Sequence, residues 1–186
     1  MQKILLIALG VVVAAVAVVL GLATTKPDTF EVERQIVIAA PPAAIFGYLE
    51  DFKRWGDWSP WEKLDPGLKR SFSGAPSGVG ASYAWEGKKA GSGKMTVTDS
   101  TPNQKLKIQL DFTQPFASDN SVLFELTPAS AATRVRWSMT GPMSFPSKIM
   151  CVFADMDSMI GKDFEKGLSQ LKAVAESPAA AAAATK

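Results

Sequence analysis

Three of the five tryptophans, Trp55, Trp58 and Trp61, fall at a spacing of three within Phe52-Lys53-Arg54-Trp55-Gly56-Asp57-Trp58-Ser59-Pro60-Trp61. Each ring carries a large apolar area and a single polar handle, so the cluster must be buried, stacked on something or set into the lining of a pocket. Gly56, Ser59 and Pro60 interrupt any regular element. The segment is therefore predicted as a short helical turn leading into a structured loop, with its rings inserted into a core or over a binding site.

A second constraint comes from residues 4–23, which contain no charge and no strongly polar side chain. At about 1.5 Å per residue, a helix of that length matches a bilayer core of about 30 Å. Two readings stand: a retained membrane anchor, or a secretory signal cleaved after Gly21-Leu22-Ala23, whose small residues suit such a site. The uncharged run is longer than the apolar core of a typical signal, which favours the anchor. No cysteine follows the run to carry a lipid. Lys3 and the terminal amine favour the amino end inside, against Lys26 on the other flank. The expected location is thus single-pass membrane-anchored with the domain outside the cytoplasm, on the periplasmic side, or secreted after cleavage.

Charge and composition exclude several chemistries. Lys and Arg number 20 and Asp and Glu 18, a net +2 with no clustered basic footprint, so no nucleic-acid partner is expected. The chain has no histidine, which removes Ser-His-Asp and Cys-His mechanisms and the commonest ligand of zinc and haem. No metal and no cofactor are expected. The single cysteine, Cys151, excludes an internal disulfide and reads as a small buried hydrophobe.

Beyond the apolar run, the period of the pattern changes. Phe30, Val32, Ile36 and Ile38 share one face of an alternating segment in which Arg34 takes an inward position, as in a half-buried strand. Ala40-Pro41-Pro42 then opens a helix with Ala44, Ile45, Tyr48 and Leu49 on one side. After the tryptophan segment, strands are predicted over 68–73, 81–86, 94–100, 105–112, 121–126 and 133–140, each bounded by turn-forming residues. Leu106, Ile108, Leu110 and Phe112 oppose Lys105, Lys107, Gln109 and Asp111, so one face is covered and the other wet. Val135, Trp137 and Met139 take the inward parity of the last strand. A long helical pattern then runs through Ile149, Val152, Phe153, Met156, Ile160, Phe164, Leu168, Leu171 and Val174. Ser177-Pro178 and an alanine run close the chain.

This order predicts an α+β helix-grip fold: a curved antiparallel sheet of about seven strands around a long carboxy-terminal helix, preceded by one transmembrane helix. The expected organisation is an anchor or signal segment over 1–26, the domain over 27–176 and a disordered, alanine-rich tail over 177–186. Several segments carry a family likeness: Arg34-Gln35-Ile36-Val37-Ile38-Ala39-Ala40-Pro41-Pro42, the tryptophan segment with Asp65-Pro66, Tyr83 to Gly87, Gly91-Ser92-Gly93-Lys94-Met95, Arg134-Val135-Arg136-Trp137, and Gly161-Lys162-Asp163-Phe164-Glu165-Lys166-Gly167-Leu168. Over roughly 30–175 the chain resembles the SRPBCC superfamily of START and Bet v 1-like proteins, most closely the bacterial polyketide cyclase/dehydrase-like branch. The resemblance implies a hydrophobic cavity between sheet and helix.

Parity places Phe112, Phe124, Trp137, Met139, Met156, Ile160 and Phe164 toward that cavity, with Trp55, Trp58, Trp61 and Trp85 as candidates for its entrance. Adaptable methionines beside rigid rings suit varied apolar ligands, although the same spacing also serves plain core packing. Proton transfer is left to carboxylates, Tyr48, Tyr83, lysines and arginines. Arg34 with a carboxylate partner is a candidate for stabilising an oxyanion, and Asp157, next to Met156, for the cavity rim; Asp155, Asp157, Asp163 and Glu165 otherwise read as a solvated helix face. The glycines of 74–80 and 87–93 read as turns between strands, a poor phosphate cradle despite Lys88 and Lys89. No catalytic residue is assigned. The leading expectation is a membrane-tethered binding protein for a lipid-like, aromatic or polyketide-like molecule. A cyclase or dehydrase acting on such a substrate is the first alternative, and an envelope interaction module using the tryptophan loop is the second.

Overall fold

A computed structural model describes residues 1–177. The helix α1 (Gln2–Thr24) carries the apolar run and is long and apolar enough to cross a membrane. Strand β1 (Thr29–Ile38) follows, then α2 (Pro42–Glu50), which starts at a proline whose missing N–H lies where no intrahelical partner exists. The tryptophan segment folds into three short turns: a 3₁₀ turn (Phe52–Arg54), α3 (Trp55–Trp58) and a second 3₁₀ turn (Pro60–Lys63). Six strands come next, β2 (Lys69–Gly74), β3 (Ala81–Glu86), β4 (Ser92–Thr101), β5 (Lys105–Gln114), β6 (Ser118–Ala129) and β7 (Ala132–Pro142).

These form one antiparallel sheet of seven strands in the order β1-β7-β6-β5-β4-β3-β2, a meander closed by the first strand. Alternation behaves as expected in β5, where Leu106, Ile108 and Leu110 are buried. The glycine at position 74, at the end of β2, has a φ of 76° and no room for a Cβ against the Gly80 carbonyl, which makes the β2–β3 turn a glycine requirement.

The long carboxy-terminal pattern is two helices rather than one. Ser144 caps α4 (Phe145–Met150), and the chain turns through 151–154 before α5 (Met156–Ala175). The break lies at Asp155, whose carboxylate accepts the Ser158 N–H at 2.7 Å and nucleates a new helix. Ile149, Val152 and Phe153 therefore belong to α4 and the turn, and Phe153 is largely exposed; Cys151 is buried there, as its apolar surroundings led us to expect. The helix α5 lies on the sheet, burying Phe164, Leu168 and Leu171. Of the alanine-rich tail, all but Ser177 lies outside the described residues.

One consequence of the pairing concerns the ends of the sheet. Thr29 pairs with Pro142, Phe112 with Ser118, Ser92 with Gln114, and Glu86 with both Ser92 and Lys69. The start of β1, end of β7, start of β6, end of β5, start of β4, end of β3 and start of β2 thus share one end. At that end α1 enters and α4 leaves; α1 packs on α4, and the Asp28 carbonyl accepts the Met143 N–H at 2.7 Å.

Candidate ligand-binding site

A cavity of about 390 Å³ lies between the concave sheet face and α5. Trp55 and Trp61 from the tryptophan segment, Tyr83 and Trp85 from β3, Met95, Leu110, Phe112, Val122, Trp137 and Met139 from the later strands, and Ile160 and Phe164 from α5 line it. Its wall is built around Trp137. That indole stacks on Phe164 with centroids 4.0 Å apart and takes Trp61 edge-on at 5.7 Å. Such close approach of α5 needs Gly167, where a Cβ would sit 2.8 Å from the Trp137 ring. The Trp137 Nε1 proton is buried with no hydrogen-bond partner among the described residues.

Eight of the eleven sequence-predicted lining residues reach the cavity; three do not. Trp58 and Phe124 are completely buried one layer behind, where Trp58 lies edge-on to both Trp137 and Phe124 and donates its N–H to the Tyr48 carbonyl at 3.1 Å. Met156, in the first turn of α5, packs against the core beside the cavity rather than within its lining. Trp55 is not at an entrance either: it is 3% exposed and donates to the Leu49 carbonyl at 3.0 Å. With Trp55 and Trp58 buried and only Trp61 partly open, the cluster makes no exposed patch of the kind a contact surface built on this loop would need.

The charged residues also sort differently from the sequence pattern. Arg34 does leave the sheet on the inward side, but it engages α5 outside the cavity: its Nη1 lies 2.6 Å from Asp157 Oδ1 and its Nε 2.7 Å from Glu165 Oε1. The guanidinium occupies the space over Gly161. Two strong acceptors hold it firmly protonated, and Arg34 in turn holds the Asp157 carboxyl below the usual carboxylate range. Asp163, expected on the solvated face, lines the cavity instead.

Glu62 is the polar residue that sequence reasoning missed. Carried by the second 3₁₀ turn directly after Trp61, its carboxylate is 10% exposed, accepts the Tyr83 hydroxyl at 2.6 Å and pairs with Arg70 Nε at 2.6 Å. Burial first, and the bond to Glu62 second, push the Tyr83 phenol well above its ordinary pKa. A signal was available: Tyr83 shares the inward parity of Ala81 and Trp85, and a phenol on that face requires a partner. Near the mouth, Asp65 accepts the backbone N–H groups of Gly67 and Lys89 at 3.0 Å each, tying the β3–β4 hairpin to the loop before β2. Those two N–H groups hold its carboxyl below the usual range.

A curved sheet gripping a terminal helix around an apolar cavity is the helix-grip class of small-molecule binding folds. The chain belongs to the family described as polyketide cyclase/dehydrase and lipid transport, of the SRPBCC superfamily, with residues 29–176 matched. Similar solved structures include protein CV1439 from Chromobacterium violaceum, 18% identical over 82% of this chain and 99% of that one, with a TM-score of 0.58. The Aha1 dimer from Colwellia psychrerythraea is 18% identical, covering 77% and 93%, with a TM-score of 0.55. Ara h 8.0201, a Bet v 1-like neighbour, is 14% identical, covering 77% and 92%, with a TM-score of 0.50. At these identities the likeness concerns the fold alone. No curated protein sequence matches the chain.

Proposed function

We propose that this protein is a membrane-tethered binding module that holds one lipid-like, aromatic or polyketide-like molecule between the concave sheet and α5. The observation that carries this reading is the cavity itself: about 390 Å³, walled by aromatic rings, Met95 and Met139, within the size range of small-molecule pockets. Its ionisable groups support binding over turnover. Glu62 is engaged by Arg70 and by the Tyr83 hydroxyl, and burial keeps the proton on Tyr83, so the Tyr83–Glu62 pair on the wall is committed to internal bonds; Asp163 and Lys89 complete the charged lining. In this reading α1 is the tether, residues 27–176 are the binding domain, and Lys3 favours the domain outside the cytoplasm.

Delipidated full-length protein incubated with membrane lipid extract should retain a ligand in native mass spectrometry. Ile160→Trp adds bulk at the cavity without touching the buried layer behind it, and should lower occupancy roughly tenfold, equivalent to about 1.4 kcal/mol. A wild-type chain that emerges empty at every lipid concentration would sink the proposal.

The Tyr83–Glu62 pair on the wall supports a second reading, a cyclase- or dehydrase-type enzyme in which the Tyr83 hydroxyl is handed from Glu62 to a substrate oxygen. That reading requires turnover of a polyketide-like substrate that Tyr83→Phe abolishes while ligand retention survives.

A further inference from the structure

Exposed residues of the cavity lining, Lys89 and Leu64 among them, lie toward the end of the sheet at which α1 enters. Lys89 and Ala90 of the β3–β4 hairpin and Phe112 near the end of β5 line the cavity and lie at that end by the strand register; Leu64, in the loop before β2, lines it too. Large apolar side chains stand in water around it. Phe116 in the β5–β6 loop is 57% exposed and Phe153 after α4 is 75% exposed; Leu64, Phe145 and Met150 are each about half exposed.

These residues are not scattered relative to the apolar helix. Val19 is partly buried and Ala23, one turn on, fully so, and the element α1 packs on is α4. Asp28 clamps the same junction from the other side, its carboxylate 2.5 Å from Lys148 Nζ. The helix α4 therefore sits against the last turns of the apolar run. If those turns lie in a bilayer, α4 lies at its surface, at the depth where interfacial apolar groups are buried. Lys88 and Lys89, both exposed in the hairpin, add cations beside the mouth that suit lipid phosphates.

We infer that the mouth end of the domain docks on the same bilayer that α1 spans, through Phe116, Phe145, Met150 and Phe153, so that the cavity opens onto the lipid surface. This rests on the tether reading proposed above, and the test separates the two. In full-length protein with Cys151→Ser, single cysteines are introduced by Val12→Cys, Phe116→Cys, Phe153→Cys and Val79→Cys and labelled with bimane. Each is reconstituted into vesicles of phosphatidylcholine and phosphatidylglycerol with or without brominated acyl chains. Val12 reports the span, and Val79, in the β2–β3 loop at the far end of the sheet, is the water-exposed reference.

Docking predicts a loss of about half the emission at Phe116 and Phe153, as for groups buried about 5–10 Å deep, a larger loss at Val12 and none at Val79. Quenching at Val12 with Phe116 and Phe153 as bright as Val79 overturns the docking while leaving the tether. No quenching at Val12 overturns the tether and the docking with it. Equal quenching at Val79 overturns the orientation, because the domain would then lie with no preferred end toward the lipid.

Discussion

Tyr83, Glu62 and Arg70 join three elements, β3, the second 3₁₀ turn and β2, around one buried carboxylate. Removing the phenolic oxygen by Tyr83→Phe leaves Glu62 short of a donor in a site with little access to water, a loss of about 1–2 kcal/mol expected in thermal unfolding. The pH dependence follows from the raised phenol. An unfolded chain gives up the Tyr83 proton near the ordinary phenol value of 10.0, whereas the folded chain keeps it to higher pH. Above that value the folded state binds the extra proton, so the contribution is complete below pH 10 and drains away as pH rises. In an alkaline titration followed at the tyrosinate band, Tyr83 should ionise only as tertiary structure is lost, and Tyr83→Phe should delete that component. At this scale the sequence is only partly legible. Trp137, Met139 and Phe164 follow from strand and helix parity, but Glu62 sits in an irregular turn where no period applies. Trp58 and Phe124 have inward positions like the others, and only the depth of packing separates wall from core.

Among the elements, α5 is held by polar contacts as well as by its apolar face. Asp155 caps its start and Arg34 reaches from β1 to Asp157 and Glu165, one helical turn on either side of Gly161. The Asp155 carboxyl is held low by the Ser158 N–H and hydroxyl, and that of Asp157 by Arg34. Both folded values lie below the ordinary aspartate value of 3.8, so their contribution is present above that pH and is lost as pH falls through the folded values. Protection from hydrogen exchange over 156–165, relative to the intrinsic rate at each pH, should therefore fall at acid pH before that of the sheet does, and Arg34→Met should bring the same loss of protection at neutral pH. Unaltered exchange in the variant would remove Arg34 as the clamp. The strands were legible because each has its own period-two run between turn residues; Leu106 to Leu110 is the clearest. The division between α4 and α5 was not, since the apolar spacing continues through Val152 and Phe153, where the chain turns after α4 has ended and before Asp155 caps the start of α5.

For the molecule as a whole, a ligand bound only by the folded state should raise the melting temperature in step with its concentration. At about a hundred times the dissociation constant the added stability is about 2.7 kcal/mol. Thermal scans of delipidated protein across a lipid series should show that rise, and Ile160→Trp should flatten it. Fold and element order were written plainly in the sequence, from the helix after Pro42 to the final amphipathic run, whereas the coincidence of cavity mouth, α4 and the end of α1 at one edge emerges only from the strand register. The sheet order β1-β7-β6-β5-β4-β3-β2 also bears on the birth of the protein. As the chain leaves the ribosome, β2 through β7 can pair hairpin by hairpin, each with the neighbour just made. Strand β1 emerges before all of them, and its partner β7 after them, so Val32 and Ile36 must wait for Met139 and Val135 with α5 still unsynthesised. The strand nearest α1 is thus the one most in need of shelter during synthesis, and a chain stalled before residue 142 would carry an unpaired apolar edge beside its own apolar helix.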